Sequence, residues 1–343
     1  MVDILFTEGF SCQRDLIKNL KSSDFLNKIR VYATHSKNRL EIFKYADDCK
    51  VINRQGMSED QFIQEHLDYC SQKQVGIVIT GMHTELFEKH RTQFESKGIS
   101  LFNGVIGIQN HLDVNDKLAF TAKCRENNFP VVPAYPFKSR AEFDALYAEK
   151  VQQYGILAVK PSQGVYAKGF FKLDPEISLF AGLSTPYVVN PDQFADAYGL
   201  LTDPPLYMLM PYLSGQECTV DAACIGGELV SAVVRTKQKG ETQLIETEHQ
   251  CIELAKEFVA LFKCDGIVGI QFIQDDQGQW LALEINPRAS GGVGYSMMSG
   301  INIPALLVDE VLRRKGFKIF IQSRPWLQSK ALVRPVTVAE TLN

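Results

Sequence analysis

The chain has 343 residues, of which 45% are hydrophobic and 22% are charged, and its formal net charge is -4 at pH 7. A chain of this length can form two or three compact domains, each with its own core. Its mildly acidic balance supplies no basic field, so neither nucleic acid nor an anionic membrane is an expected partner.

The first 112 residues alternate strand and helix signals. Short, continuously apolar runs predict buried strands at 4–7, 29–33, 51–52 and 75–80. Helices are predicted at 13–20, from Ser58 onward and through 90–96, and Ser58 with Gln61 has the spacing of a capping box. Apolar strands separated by helices indicate a parallel sheet covered on both faces. Residues 1–112 are therefore predicted to form an α/β domain.

The remaining residues combine helices with antiparallel strand pairs. Helices are predicted at 114–127, 144–153, 247–262 and 303–314. An extended segment at 131–136 precedes predicted strands at 156–160, 206–212, 217–224, 228–235, 267–273, 280–285 and 331–336. Two hairpins are expected, one around Gly226 and Gly227 and one across residues 275–278. An α+β region should thus follow the α/β domain, with the boundary near residues 112–130.

The cysteines and histidines show no pattern of a disulfide framework or a zinc motif. The eight cysteines are scattered without a Cys-x-x-Cys pair, and the six histidines lack zinc-ligand spacing. We expect reduced, mostly buried thiols. Neither a signal peptide nor a membrane-length apolar run is recognised, so the expected location is the cytoplasm.

The segment Trp280–Gly292 contains the largest group of candidate functional residues. Glu284 and Asn286 are two residues apart on a predicted strand and therefore share one face. Their oxygens, with that of Gln271 on the partner strand, are ligands suited to Mg²⁺. Arg288 follows as a cation, and the run Ser290-Gly-Gly292 can present backbone N–H groups to an anion. Glu-x-Asn alone is more often a strand ending at a proline turn with a structural ion pair, but the combination favours a metal and anion site.

Glu284-Ile-Asn-Pro-Arg288 resembles the metal-binding signature of ATP-grasp ligases, particularly the synthetase domains of the carbamoyl phosphate synthetase large subunit and their single-domain relatives. The resemblance implies an N-terminal parallel-sheet pre-ATP-grasp domain followed by an α+β ATP-grasp domain of two lobes. The corresponding divisions are 1–112, then 113–212 as the small lobe with a linking helix, then 213–343 as the large lobe with the metal site. It also implies ATP with Mg²⁺, or alternatively Mn²⁺, as cofactors.

Four upstream segments match the same family in the same order. Asn115-Asp-Lys117 and Ala158-Val-Lys-Pro161 resemble the segments whose basic residues, here Lys117 and Lys160, approach the ATP phosphates. Residues 162–169, which include Ser162, Gly164 and Lys168, occupy the position of the flexible flap. Residues 208–217 resemble the hinge, where the backbone near Met210, Pro211, Tyr212 and Leu213 would meet adenine and Glu217 would take a ribose hydroxyl. The metal ligands implied are Gln271, Glu284 and Asn286, and the implied catalytic residues are Arg288, Arg235 and Lys168.

Several residues have weaker functional readings. The flap has only two glycines and carries bulky Val165 and Tyr166, so Lys168 is equally a solvated lysine or a γ-phosphate ligand. Arg235 could neutralise an acyl phosphate or simply end a charged strand. His83, Glu85, Gly9 and Ser11 follow strands of the parallel sheet, where ligands commonly bind, although solvated loops explain them as well. Cys12 and Cys218 could be nucleophiles only with a partner base, and the sequence shows none. The absence of Gly-x-Gly-x-x-Gly after the first strand argues against a nicotinamide cofactor.

The function that these features predict is that of an ATP-dependent carboxylate–amine ligase. Such an enzyme forms an acyl phosphate from small-molecule carboxylate and ATP, releases ADP and phosphate, and transfers the acyl group to an amine. One alternative is an enzyme like carbamoyl phosphate synthetase that phosphorylates bicarbonate or carbamate. Another is a non-catalytic, ATP-binding regulatory protein, which the glycine-poor flap would favour. A homodimer is left open.

Overall fold

The computed structural model describes residues 2–9, 12–23, 29–164, 168–317 and 330–335, with the side chain of Leu179 left aside. The chain divides into two compact units. Unit 1 comprises residues 1–112, 217–271 and 285–343, and unit 2 comprises residues 113–216 and 272–284. Over the described ranges, every helix is too short or too polar to cross a bilayer.

The strands, in chain order, are β1 Val2–Phe6, β2 Ile29–His35, β3 Asp48–Val51, β4 Val75–Ile79, β5 Ser100–Phe102, β6 Gly104–Val105, β7 Tyr135–Phe137, β8 Leu157–Pro161, β9 Phe171–Leu173, β10 Val188–Val189, β11 Tyr207–Pro211, β12 Glu217–Ile225, β13 Glu228–Lys237, β14 Gln243–Glu246, β15 Cys264–Gln274, β16 Trp280–Asn286 and β17 Lys330–Val333. The helices are α1 Gln13–Lys21, α2 Leu40–Phe43, α3 Glu59–Lys73, α4 Thr84–Lys89, α5 Arg91–Ser96, α6 Ile108–Asn115, α7 Lys117–Glu126, α8 Arg140–Tyr154, α9 Leu179–Ser184, α10 Pro191–Gly199, α11 Gln250–Leu261, α12 Val293–Ser296 and α13 Ile303–Arg314. A short 3₁₀ helix at Met297–Ser299 follows α12.

Unit 1 begins with the parallel sheet that the sequence predicts. Its strands lie in the order β3-β2-β1-β4-β5, and every pair is parallel. Side chains of β1 alternate between two cores, because Ile4 and Phe6 pack into one hydrophobic cluster and Leu5 into another. Alternation with both faces buried explains why these strands read as continuous apolar runs.

The rest of unit 1 is built on antiparallel strands. The order is β16-β15-β12-β13-β14-β17, and β6 pairs with β15. Strands β12 and β13 form the predicted hairpin, in which Cys218 lies opposite Thr236 and the turn contains Gly226 and Gly227. Helices α11 and α13 pack on β12 and β13. Strand β15 continues along the chain from unit 1 into unit 2, and β16 continues from unit 2 back into unit 1.

Unit 2 contains a separate five-stranded sheet in the order β10-β9-β8-β11-β7. Its two faces carry different clusters, because successive residues of β8 point to opposite sides. Val159 belongs to an aromatic-rich core with Phe137, Phe143 and Phe194, whereas Ala158 belongs to a cluster with the methionines of β11. The α/β class with a parallel first sheet and a later α+β region is confirmed.

Some predicted elements differ in detail. The helix predicted at 114–127 is two helices, α6 and α7, because Asp116 adopts an extended conformation and its side chain caps α7 by accepting from the amides of Leu118 and Ala119. Helix α11 begins at Gln250 rather than at residue 247, since His249 acts as its N-cap. The last predicted strand is described only as β17, and residue 336 lies outside the described part of the chain.

Candidate functional site

Lys117 is held at the amino-terminal end of α7 by its neighbours in unit 2. Its backbone N–H donates to the carbonyl of Ser162 (3.0 Å), and its Nζ donates to the carbonyl of Gly164 (3.0 Å). The side chain is buried. The start of the predicted flap is therefore tied to the beginning of a helix, where the helix dipole favours anions.

Lys160 and Lys117 meet at one carboxylate oxygen. Lys160 lies near the end of β8, and its Nζ is 3.7 Å from Oε2 of Glu284, while Nζ of Lys117 is 3.9 Å from the same oxygen. Glu284 is on β16, and its side chain is 23% exposed. Two lysine ammonium groups thus lie beside one carboxylate that is only partly open to water. Lysine is a common ligand of phosphate groups, so this position suits a phosphate.

An apolar surface adjoins these charges within unit 2. Met208 lies opposite Lys160 in the register of β8 and β11, and Met210 lies opposite Ala158. Both methionines are buried in a cluster whose rim includes half-buried Tyr212 and other apolar side chains, namely Leu118, Phe170, Leu213, Ile273, Leu281 and Leu283. An apolar sheet face bordered by lysines has the character expected for a heteroaromatic ring attached to phosphates.

Part of the backbone at the predicted hinge is not free to bind a ligand, because its N–H groups are already hydrogen-bonded or missing. The amide of Tyr212 donates to the carbonyl of Ile156 (2.9 Å). Pro211 is buried and has no N–H, so only its carbonyl can meet a ligand. The hydrogen bonds predicted between Met210–Leu213 and adenine therefore cannot include the amide of Pro211, and that of Tyr212 is already used.

The flap is described at its two ends. Ser162 is buried and donates its amide to the carbonyl of Leu206 (3.1 Å), whereas Lys168 is exposed. Gly169 has φ +80°, and a Cβ at this position would lie 2.7 Å from the Tyr207 hydroxyl, so another residue would be strained here. Val165 and Tyr166 lie outside the described residues.

Arg235 is the centre of a buried network in unit 1. Its guanidinium donates to Asp221 (2.6 and 3.3 Å), to Oε1 of Gln243 (2.7 Å) and to Oγ of Ser290 (2.7 Å). The hydroxyls of Ser290 and Ser296 also donate to the Asp221 carboxylate, which is fully buried. These contacts fix Arg235 against the segment that follows β16. Its predicted role toward an acyl phosphate stays a prediction.

Gly292, in the glycine pair that follows Arg288, leaves room for the Arg235 guanidinium of this network. A Cβ on Gly292 would lie 2.3 Å from Nη1 of Arg235. The guanidinium therefore packs directly on the backbone of Gly292, and the Ser290 hydroxyl is directed at Asp221. The segment predicted as an anion nest is thus anchored to β12 and β13 by side-chain hydrogen bonds.

The other predicted residues of unit 1 lie on or next to strands: Gln271 within β15, Asn286 at the end of β16, Arg288 two residues beyond it, and Glu217 at the start of β12. Gln271, Asn286 and Arg288 are half-buried, and the amide of Arg288 donates to the carbonyl of Asn286 (2.7 Å). Glu217 begins β12 and forms an ion pair with Lys237 (2.5 Å). The assignment of these residues to metal, catalysis and ribose stays a prediction.

A second polar cluster lies beyond the parallel sheet. Glu8 accepts from the amide and hydroxyl of Ser36 (3.0 and 2.7 Å) and lies 3.5 Å from Nδ1 of His35. His83 adopts φ 57° and faces Arg54, and burial lowers its pKa. The sequence pointed to His83 but not to Glu8 or His35, because neither forms a motif. Ser11 lies outside the described residues.

The donor set of β15 and β16 fits magnesium by its chemistry. It contains one carboxylate, on Glu284, and two amide oxygens, on Gln271 and Asn286, and all three side chains are half-buried. Mg²⁺ prefers oxygen ligands and usually takes one or two carboxylates, with the remaining positions going to phosphates and water. A set with a single carboxylate therefore suits a nucleotide-bound ion better than a free one.

Comparisons with known proteins place the fold. Residues 203–337 match the family model described as ATP-grasp in the biosynthetic pathway with Ter operon. L-amino acid ligase from Bacillus licheniformis is 12% identical, with a TM-score of 0.63, over 95% of this chain and 77% of that one. N5-carboxyaminoimidazole synthetase from Staphylococcus aureus is 12% identical, with a TM-score of 0.62, over 87% and 73%. Biotin carboxylase from Campylobacter jejuni is 16% identical, with a TM-score of 0.63, over 96% and 74%. The recognition of the ATP-grasp superfamily from sequence is confirmed.

Proposed function

We propose that this chain, which has the ATP-grasp fold, is an ATP-dependent ligase that joins a small-molecule carboxylate to an amine through an acyl phosphate. The observation that carries the proposal is the convergence of Lys117 and Lys160 on Glu284 in unit 2. Each of these residues comes from a different segment of the sequence signature. The family match over residues 203–337 and the names of the structural neighbours support the same class of reaction.

Unit 2 supplies a surface suited to ATP. The cluster around Met208 and Met210 offers an apolar face for adenine, with the Pro211 carbonyl as an acceptor. Lys117 and Lys160 then neutralise the phosphates, and Lys160 releases part of its contact with Glu284 when the nucleotide arrives. Glu217 is proposed to bind a ribose hydroxyl, for which it must exchange its ion pair with Lys237.

The metal site is proposed on Gln271, Glu284 and Asn286. If bound there, Mg²⁺, or alternatively Mn²⁺, would supply positive charge that offsets the charge developing on the phosphates. The two lysines close to Glu284 would hold its carboxylate in place before the nucleotide binds.

The reaction proposed for this site is in-line phosphoryl transfer. An oxygen of the substrate carboxylate attacks the γ-phosphorus, the bond to the β–γ bridging oxygen breaks, and ADP leaves with that electron pair. Arg288 holds the carboxylate and then the acyl phosphate, while Arg235 and Lys168 are proposed to offset charge. An amine next attacks the acyl carbon, phosphate departs, and the nitrogen loses a proton. Closure of the 162–169 flap would exclude the water that hydrolyses such intermediates.

A screen for ADP release tests this function. The purified chain is given ATP and Mg²⁺ with pooled carboxylates and amines, and products are identified by mass spectrometry. We expect ADP release that requires both pools and yields an amide. ADP release that depends on bicarbonate alone would favour the alternative enzyme that phosphorylates bicarbonate. This alternative is included in the test because biotin carboxylases are among the structural neighbours. ATP binding without turnover in any pool would contradict a ligase and favour a regulatory protein.

Assembly is a further part of the proposal. One structural neighbour is described as a biotin carboxylase domain dimer. A homodimer of this chain is proposed by analogy, and sedimentation of the purified protein measures it directly. A monomer at micromolar concentration would contradict it.

A further inference from the structure

Two buried thiols and an imidazole converge in unit 1, away from the residues of the sequence signature except Glu217. Sγ of Cys218 is 3.5 Å from Sγ of Cys251, and these two sulfurs and a ring nitrogen of His249 all lie within 4.8 Å of one another. Cys218 follows Glu217 on β12, and His249 and Cys251 belong to the start of α11. Both cysteines are at most 1% exposed.

We propose that Cys218, His249 and Cys251 form a binding site for a zinc-like divalent cation. Thiolate and imidazole are the ligands that a soft or borderline cation prefers, and hard cations such as Mg²⁺ avoid them. A tetrahedral site with Zn–S bonds of about 2.3 Å places two sulfurs about 3.8 Å apart. The observed 3.5 Å is close to that separation and far longer than the disulfide bond length of about 2.05 Å.

The backbone holds these ligands in place before any ion binds. Nδ1 of His249 accepts from the amide of Cys251 (3.1 Å), which makes His249 the N-cap of α11. The cap thereby orients the imidazole ring, one nitrogen of which lies within 4.8 Å of both sulfurs. Cys218 is the second residue of β12 and lies in register with Thr236 of β13. A cap and a β-ladder thus restrain all three residues.

A second observation points to the same place. Thr236 is 2% exposed, and its Oγ1 has no hydrogen-bond partner among the described residues. Residues directly opposite in an antiparallel pair share a face, so Thr236 and Cys218 lie on the same side of the sheet. A buried hydroxyl without a partner costs free energy, and a water molecule on the fourth position of the cation would satisfy it.

Binding of one divalent cation replaces the thiol protons of Cys218 and Cys251, and up to two protons are released to solvent. No change of oxidation state is involved.

Cobalt provides the test, because tetrahedral Co²⁺ on thiolates absorbs strongly in the near ultraviolet and the visible. The reduced wild-type chain is stripped with a chelator and titrated with Co²⁺ alone, without nucleotide. We expect one thiolate-bound Co²⁺ per chain, displaced by Zn²⁺. A wild-type titration that produces no thiolate-to-cobalt absorption would overturn the proposal, whatever the variants do.

Variants locate the site. Cys218→Ser and Cys251→Ser should each weaken Co²⁺ binding at least tenfold, whereas Cys224→Ala, which removes a buried thiol further along β12, should leave it unchanged. His249→Asn keeps a side chain that can cap α11 but removes the imidazole, so folding should survive while affinity falls at least tenfold. Unchanged affinity in His249→Asn, or equal losses in Cys224→Ala, would overturn the assignment. Neither result depends on whether the chain is a ligase.

Discussion

Glu284, Lys117 and Lys160 show how single residues make the candidate site. Each was recognisable in the sequence because it belongs to a short motif of defined order. The sequence could not predict that both lysines approach the same oxygen of Glu284, because this contact depends on how β8, α7 and β16 fold together within unit 2. The Arg235–Asp221 network was missed for a related reason. Asp221 is a lone acid in an apolar strand, and its partners Ser290 and Ser296 are far away along the chain.

Lys160→Ala should weaken ATP binding. A charge-assisted hydrogen bond contributes about 1.5–3 kcal/mol, so we expect the dissociation constant measured by calorimetry to rise at least about tenfold. Lys138→Ala is the control, because Lys138 is an exposed lysine of unit 2 paired with Asp203. Wild-type affinity in Lys160→Ala would remove this lysine from the phosphate site.

Arg235→Met should destabilise the fold more than a surface change would. The variant leaves the fully buried Asp221 carboxylate without its cationic partner. Breaking a buried pair on one side costs about 3–5 kcal/mol, which urea unfolding would report as a lower free energy of unfolding. Arg235→Met combined with Asp221→Leu should recover part of the loss. A single variant as stable as wild type would contradict the structural role of the pair.

Helix ends explain two of the differences between predicted and observed elements. Hydrophobic periodicity runs through residues 114–127 without a visible interruption, yet Asp116 ends one helix and starts another through a side-chain cap. The same effect at His249 shortens α11. Strands β9 and β10 were not predicted, because two or three residues are too short for an alternating pattern to be read.

Asp116→Ala should lower stability by about 1 kcal/mol, the usual value of an N-cap. The amides of Leu118 and Ala119, at the start of α7, lose their acceptor. Urea unfolding measures the first effect. Asp116→Asn keeps an acceptor oxygen and should be nearly neutral, and equal losses in both variants would contradict capping as the cause.

His66, on α3, should make the protein acid-sensitive. Burial lowers the pKa of His66 from 6.5 to about 4 in the folded chain, where the ring contacts the carbonyl of Phe62 and the hydroxyl of Thr34. Because the unfolded chain takes up the proton first, the free energy of unfolding should fall as the pH drops from about 6.5 toward 4. The His66 contribution is about 2 kcal/mol between pH 7 and pH 5. Urea titrations of wild type and His66→Gln at both pH values measure it, and identical pH dependence would contradict it.

The architecture of the whole molecule was the most predictable part. The apolar runs at 4–7, 29–33 and 75–80 required a parallel sheet, and the order β3-β2-β1-β4-β5 provides it. The ATP-grasp signature then indicated the fold of the later region. The structural similarity to known proteins extends over most of the chain, at sequence identities of 12–16%. Substrate identity was not predictable, because it depends on individual side chains in loops, which no pattern specifies.

The most direct measurement of the central claim is ADP release by Glu284→Gln beside the wild-type chain, under the conditions that support wild-type turnover. The substitution keeps the size of the side chain but removes the charge that holds Lys117 and Lys160 and would hold the metal. We predict a loss of at least about a hundredfold in the rate, with an unchanged urea midpoint, because charge placement supplies most of the catalysis in phosphoryl transfer. A folded variant that releases ADP at the wild-type rate would contradict the account.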